Sequence, residues 1–359
     1  MVEPRLLSGP ADGGTLGGAA EPGGDPAVSR GSGTPPNRSG DDPRRPGSPG
    51  DAAPDAGQTE GDGAVSHADS APGAATDPGA SDLSSGAQRA IELNPCPACG
   101  HRQVRTLFHA TDRLYRTTSR SFLIVECSAC RLIRLYPTPP AEELHSYYPS
   151  NYWYSPDEDS IDRLAEAYRR FVLRDHTSFV RAALARAPKD GVLVDVGCGG
   201  GLFLQQIGDT GRRRVGLDFA LGAAGVAWHR KGVPAVVAAL TQAPLAPRSC
   251  AAITMFHVLE HLYDPASYLT AAHQLLHDDG RLVVQVPNAD CWQFLLFGEH
   301  WNGMDVPRHL VNFRSGDLAT LLDRCGFEVV RTKFFSLRDN PAGLATTVLP
   351  SLDPMARRI

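Results

Sequence analysis

Three groups of residues in this chain have types and spacings that could do chemistry. Cys96-x-x-Cys99 and Cys127-x-x-Cys130 place four thiols on two tight turns, the donor set of one tetrahedral zinc ion. Pro97 and Gly100 suit such a turn, whereas Arg131 stands where the second turn would take a glycine. Four thiolates leave no open coordination position, so an ion held there would be structural. The second group is Val192-Leu-Val-Asp-Val-Gly-Cys-Gly-Gly-Gly201, with Gly197, Gly199 and Gly201 where a strand turns into a helix. Glycines there let a ligand lie against the backbone, and the helix start offers unpaired N–H groups. The third is His257-Val-Leu-Glu-His261 together with His309, imidazoles on loops at the carboxyl ends of strands, where general bases are found.

The glycine loop limits its ligand. Its spacing is G-x-G-x-G rather than the G-x-G-x-x-G of dinucleotide sites, and Asp195, two residues before the first glycine, would repel a pyrophosphate. Asp218 closes the next strand and is placed to accept hydrogen bonds from both hydroxyls of a ribose. The ligand is therefore a nucleoside with a cationic, phosphate-free tail. His257 to His261 also spells H-x-x-E-H, the zinc pattern of an inverted metalloprotease helix. A buried-looking strand from Ala251 to Phe256 runs directly into it, which argues against that reading.

The elements that must hold these groups follow from periodicity. From Gly191 onward, strand-like and helix-like segments alternate, the pattern of a parallel sheet covered by helices on both faces. Strands are expected over Val192–Val196, Arg214–Asp218, Pro234–Leu240, Ala251–Phe256, Arg281–Val286 and Phe327–Phe335. Helices are expected over Gly201–Ile207, Leu221–Lys231, Pro265–Leu276 and Ser315–Cys325, preceded by one from Ile161 to Ala187. The fold class is α/β, a doubly wound, mostly parallel sheet preceded by a small zinc ribbon and a disordered leader.

Over Ile161 to Phe335 the sequence resembles the class I S-adenosylmethionine-dependent methyltransferases. That resemblance implies that Asp195, Gly197, Gly199 and Gly201 cradle the methionine part, that Asp218 binds the ribose, and that Leu240 joins the cofactor-contacting set. Phe256–Leu262, Asp264-Pro265, Val286-Pro-Asn288 and Asp305–Leu310 are further similar to ubiquinone-biosynthesis-type O-methyltransferases. In those relatives an acid-rich version of the 257–261 segment can hold a divalent cation; here His257 replaces an acid, and use of a cation is left open. Ala239 and Ala251 also depart from the pattern, standing where a polar or acidic residue and a strand-leading Asp are usual.

The Asn/Asp-Pro-Pro-aromatic signature of many amino-group methylases is absent after the fourth strand, which favours oxygen or carbon acceptors. The implied activity is methyl transfer to a small molecule, a sugar, quinone-like or lipid-linked metabolite. His309 is the first candidate for a base, with His257 and His261 beside it. Equally, Arg308 and His309 could pin their loop to the domain, and Glu260 and His261 could be hydrogen-bonded structural residues. Zinc ribbons also accompany RNA methylation, so an RNA methyltransferase is the enzymatic alternative and a non-catalytic cofactor-binding protein the other. The family closes its sheet with a C-terminal hairpin. After Phe335, Pro341, Pro350 and Pro354 break the chain, leaving Thr346–Leu349 as a weak seventh strand or a truncated end with an exposed sixth strand.

Composition sets the remaining bounds. Residues 1–90 are rich in Gly, Pro, Ala, Asp and Ser and hold a net charge of -7, a composition that does not offset the entropy of ordering. They are expected to be disordered, with residues 91–156 forming the ribbon and an aromatic linker and 157–359 the catalytic domain. The remainder beyond residue 90 is near neutral, +2, a balance that argues neither for a broadly nucleic-acid-binding surface nor for an acidic tail that recruits basic partners. Locally, seven arginines between Cys96 and Tyr136 face only Asp112 and Glu126. No signal peptide or membrane-length apolar run is visible, and scattered cysteines suit a reducing compartment, so the cytoplasm is expected.

Overall fold

Alternate residues of the first parallel strand send their side chains to opposite faces, and this organises the molecule. In the computed structural model, which describes residues 1–7, 94–149 and 163–352, Val192, Val194 and Val196 pack on one side and Leu193 on the other. The side chains of residues 163–167 and 169 are not described. All described residues belong to one unit. The strands are β1 (Val2–Leu6), β2 (Val104–Thr111), β3 (Ser121–Cys127), β4 (Ile133–Tyr136), β5 (Val192–Val196) and β6 (Arg213–Asp218). They continue with β7 (Ala235–Val237), β8 (Cys250–Phe256), β9 (Leu276–Gln285), β10 (Val311–Asn312) and β11 (Phe327–Thr332). The main helices are α1 (Arg163–Leu184), α2 (Leu202–Ile207), α3 (Leu221–Lys231), α4 (Pro265–Leu275), α5 (Trp292–Phe297), α6 (Ser315–Arg324) and α7 (Asp339–Val348).

The seven-stranded sheet runs β11-β1-β9-β8-β5-β6-β7, with β9-β8-β5-β6-β7 parallel throughout. Helices α4 and α6 bury Leu269, Leu275, Leu318 and Leu322 against one face, and α1 and α2 bury Val180, Ala183, Leu204 and Ile207 against the other. Helix boundaries follow local chemistry. Asp264 caps α4 by accepting from the Ser267 N–H at 3.1 Å with Pro265 in the first turn, and Gly232 ends α3 at φ 62°. The doubly wound fold is as the alternation of segments predicts, with β5 and α3 at the expected bounds.

The last strand is where the sequence reading needs correction. Thr346–Leu349 is no strand: α7 runs through Val348. The seventh strand comes instead from β1, which inserts antiparallel between β9 and β11, so β9 is not left with a bare edge. Residues 2–6 thus form a strand, against the expectation of a leader disordered from residue 1 to 90; residues 8–93 lie outside the described residues. Pro4, which cannot donate a ladder hydrogen bond, falls at the register shift between Glu3 and Pro4, the irregularity that admits proline to an inner strand. Val2 and Leu6 pack on the main core, and the fully buried Glu3 carboxylate lies 2.8 Å from Arg331 and 3.7 Å from Arg281.

The second sheet runs β10-β4-β3-β2, all antiparallel, so the cysteine ribbon takes its fourth strand from the segment after Arg308. Tyr152, Trp153 and Tyr154 of the aromatic linker lie outside the described residues.

Candidate active site

Chain reversal at the end of β5 builds one end of a cavity of about 1760 Å³. Gly197 (φ 69°) and Gly201 (φ 77°) adopt left-handed backbone, and a Cβ on either would come within 2.8 Å of Val258 Cγ2 or 2.9 Å of Ala227 Cβ. Asp195 is buried just before the loop and accepts a 2.6 Å hydrogen bond from Thr254 Oγ1. Burial, reinforced by the charge of Asp218, pushes the Asp195 carboxyl up to about 7. Asp218, at the end of β6, accepts from the backbone N–H groups of Gly199 (2.8 Å) and Ala220 (2.9 Å), and burial raises its carboxyl as well. Asp195, Gly197, Gly199 and Asp218 all line the cavity. Gly201 sits behind them at the start of α2, and Leu240 is buried in the core, the wall there being Ala238 and Ala239. Two buried carboxylates beside a cradle without side chains fit a ligand with a positive charge and vicinal hydroxyls.

The other end gathers residues from four separate segments. His257 follows β8 at φ 57°, with Nδ1 3.1 Å from Glu260 Oε1 and Nε2 3.6 Å from Asp339 Oδ1. Burial alone would lower its pKa, but the Asp339 and Glu260 carboxylates outweigh it and raise the imidazole to about 9. Its Nε2 also lies 3.0 Å from the Gln285 side-chain amide, which donates to Asp339 at 2.6 Å, so both ring nitrogens are engaged by protein groups. His261 is the opposite case: burial first, then the neighbouring His309, lower it to about 4, so it is neutral. Its Nδ1 lies 3.1 Å from the Arg308 carbonyl and 3.2 Å from the Tyr148 hydroxyl. His309 packs edge-on against His261 at 4.7 Å and donates from Nδ1 to the Gly303 carbonyl at 2.8 Å. A carbonyl can only accept, so each ring carries a proton on Nδ1; in the neutral His261 Nε2 then carries the lone pair, while His309 Nε2 lies 3.9 Å from Asp305 Oδ2.

The H-x-x-E-H segment is not a metalloprotease helix: residues 259–261 form a single 3-10 turn, and His257 has left-handed backbone. Arg308, by contrast, does pin its loop. It is fully buried, donating to both Asp112 oxygens at 3.1 and 2.7 Å, to Asp305 at 2.9 Å and to the Tyr147 carbonyl at 2.8 Å. Arg314 reaches Glu126 in the same way. The only two acids of the arginine-rich stretch are therefore the ribbon's anchors to the 305–314 segment. Their scarcity among seven arginines is the signal that could have picked them out. Asp339, the partner of His257, lies in the proline-broken tail, where no pattern pointed to it.

The four cysteine sulfurs converge, Cys96 and Cys130 at 3.5 Å and Cys99 and Cys127 at 3.5 Å. Gly100 (φ 72°) and Arg131 (φ 65°) take the same backbone conformation, each donating its N–H to the first cysteine of its pair. Arg131 thus adopts the turn of a glycine despite its side chain.

Residues 166–332 match a methyltransferase domain. The match runs from within α1 to the end of β11, and the loop and acids described above lie inside it. A probable S-adenosylmethionine-dependent methyltransferase of Mycolicibacterium smegmatis is 31% identical over 178 residues, covering 49% of this chain and 65% of that protein. A ubiquinone biosynthesis O-methyltransferase of Burkholderia pseudomallei is 28% identical over 153 residues, covering 39% and 66%. The chain thus spans just under two thirds of the length of these relatives. Among solved structures, magnesium protoporphyrin IX methyltransferase of Synechocystis aligns over 55% of this chain and 88% of that one, at 17% identity and a TM-score of 0.39. The methyltransferase domain is an enzyme's domain, and the seven-stranded sheet is its fold.

Proposed function

We propose that this chain is an S-adenosylmethionine-dependent methyltransferase acting on an oxygen or carbon of a small molecule. The observation that carries this reading is the continuity of one cavity from the Asp195–Asp218 cradle to His261 and His309. At about 1760 Å³ it exceeds the roughly 300–1,000 Å³ of an ordinary ligand pocket, leaving space for an acceptor beside a nucleoside cofactor. The cofactor supplies a methyl group already activated on a sulfonium. The chain's task is then to align the acceptor with that methyl and to manage the acceptor's proton. Gly197 and Gly199 leave space for the methionine part, Asp195 faces its positive charge, and Asp218 holds the ribose hydroxyls; Gly201 lets the helix start pack closely on Ala227. With both ring nitrogens of His257 engaged by protein groups, His261 and His309 are the imidazoles that face the acceptor end of the cavity.

A small-molecule acceptor is favoured over RNA by how the ribbon arginines are used. Arg105 and Arg131 pair with Glu126, Arg120 with Glu143, and Arg113 and Arg134 donate to backbone carbonyls. At least these five of the seven have protein partners rather than forming a free basic face. The four thiols fit a structural zinc ion: tetrahedral bonds of about 2.3 Å put sulfurs about 3.8 Å apart, close to the 3.5 Å seen for two of the pairs. Among the described residues no helix is long and apolar enough to cross a membrane, and the eight cysteines are unbridged, in keeping with a reducing cytoplasm.

The test is calorimetric titration of S-adenosylmethionine and S-adenosylhomocysteine into the full chain and into Asp218→Ala, with zinc measured on the same samples. Micromolar binding that weakens by about 10–100-fold in the variant, as loss of charge-assisted hydrogen bonds requires, supports the reading. A folded, zinc-loaded chain that binds neither compound overturns it.

A further inference from the structure

Helix α7 walls the cavity with one of its faces: Asp339, Ala342, Gly343 and Thr346, spaced three and four residues apart, all border it. Yet no residue of α7 belongs to a hydrophobic core. Its buried positions are Thr346 and Thr347, while Val348 and Leu349 are 64% and 49% exposed. Helices α1, α2, α4 and α6 each bury several apolar side chains against the sheet. The contribution that dominates their docking is therefore missing from α7.

What holds α7 is polar and lies at its two ends. At the start, Asp339 accepts from the Gln285 amide and the Ser336 hydroxyl, each at 2.6 Å, and faces His257 Nε2 at 3.6 Å. These partners sit at the carboxyl ends of β8 and β9 or just before the helix, and Gln285 and Ser336 are buried. At the far end the Asn302 N–H donates to Thr347 Oγ1 at 3.0 Å. Arg113 of the ribbon bridges the same two segments, donating to the Thr347 carbonyl at 2.7 Å and the His300 carbonyl at 2.6 Å. The Arg113–His300 bond is exposed, so water can replace it there far more readily than around Asp339. The link from β11 carries Phe334 and Phe335, 70% and 53% exposed, and is not packed into a core either.

We propose that α7 is a lid on the cavity, hinged at Asp339 and latched at Thr347 by Arg113 and the Asn302 N–H. When the latch opens, the helix swings away from Trp301, Asn302 and Gly303, which line the same cavity. Its inner face is small enough to lift freely: even a Cβ added to Gly343 would meet nothing within 4 Å. Through Arg113 the ribbon controls access to the histidine end. The motion itself needs only the fold. Its use, admitting an acceptor and then excluding water, rests on the methyltransferase reading.

The experiment is hydrogen exchange on the full-length, zinc-loaded chain without ligand. In the wild type, amides of residues 343–348 should exchange at least about ten-fold faster than those of α6, the mark of a sub-global opening. Arg113→Ala removes a charged donor and should speed α7 exchange by about ten-fold more, and Thr347→Val by a few-fold, with α6 and β5 unchanged. Acrylamide quenching is the second measurement. Trp301, 8% exposed, should become more accessible in Arg113→Ala, its share of the emission being that lost in Trp301→Phe. The lid is overturned if wild-type α7 is as protected as α6, or if neither latch variant speeds its exchange. It is equally overturned if protection is lost in α6 and β5 as well, which would make Arg113 a support of the whole fold, or if Trp301 stays shielded while α7 exchanges. Because no ligand is present, a chain that fails to bind S-adenosylmethionine would keep the lid and lose only its gating role.

Discussion

From β8 through β5 and β6 to β7 the sheet is built from one stretch of chain, residues 192–256, each strand followed by the loop that lines the cavity. On the other side, β1 lies between β9 and β11, so Glu3 pairs with Arg331, and Arg308 joins the ribbon through Asp112. Both sides contribute to one cavity, yet the first is assembled by local connections and the second by contacts between segments far apart in sequence. A local strand-loop-helix unit fixes its ligand contacts almost by itself. A site assembled from remote pieces depends on the buried ion pairs that hold them, and should fail when these are cut.

The severest test of that difference is deletion of residues 1–7. The loss strips β9 and β11 of their shared partner, exposes two strand edges and removes Val2 and Leu6 from the core. Hydrogen exchange should show the Phe327–Thr332 amides losing protection while Val192–Val196 keeps most of its own, and size-exclusion chromatography should show association. Equal protection in both strands would mean that the two sides of the sheet are one cooperative whole.

Arg308→Ala comes next in magnitude. It leaves Asp112 and Asp305 buried without their cation, and breaking a buried pair in this way costs about 3–5 kcal/mol. Arg308→Lys should recover little, because an ammonium cannot reproduce the two-pronged contact with Asp112. Denaturant unfolding measures the loss. The sharper reading is S-adenosylhomocysteine affinity at a temperature where the variant is folded: it should stay within a few-fold, since Asp195 and Asp218 make no contact with this arginine. A parallel collapse of cofactor affinity would contradict the independence of the two ends.

The same division explains what could be read in the sequence. That Gly197, Gly199, Asp195 and Asp218 lie on one cavity wall was legible because a tight turn and a strand-end acid each demand a residue type at a fixed spacing. The two C-x-x-C turns are legible for that reason too, even with Arg131 in place of glycine. At the acceptor end the histidines were visible but their roles were not. Whether His257 is charged depends on Asp339, and whether His309 meets His261 depends on a loop tied down by Asp112, and spacing encodes neither. The strand β1 escaped because its five residues, one a proline, are averaged into a leader of quite different composition, and its register is set only by the strands it joins.

The smallest effect expected is on the legible side, and it concerns a proton. Burial raises Asp195 to about 7 in the folded chain from about 3.8 when unfolded, so the folded state holds the extra proton between those values. The stability this supplies is complete below about pH 4 and is lost as pH rises through 7; Asp195→Asn, which cannot ionise, should flatten that slope. A cationic cofactor reverses the preference, because its positive charge favours the carboxylate. Titrating S-adenosylmethionine near pH 6 in buffers of different ionisation enthalpy should therefore reveal proton release, up to one per site and declining toward pH 8.5. Asp195→Asn should release none. If the variant releases as much as the wild type, the proton belongs to another group, and the charge facing the cofactor must be sought at Asp218.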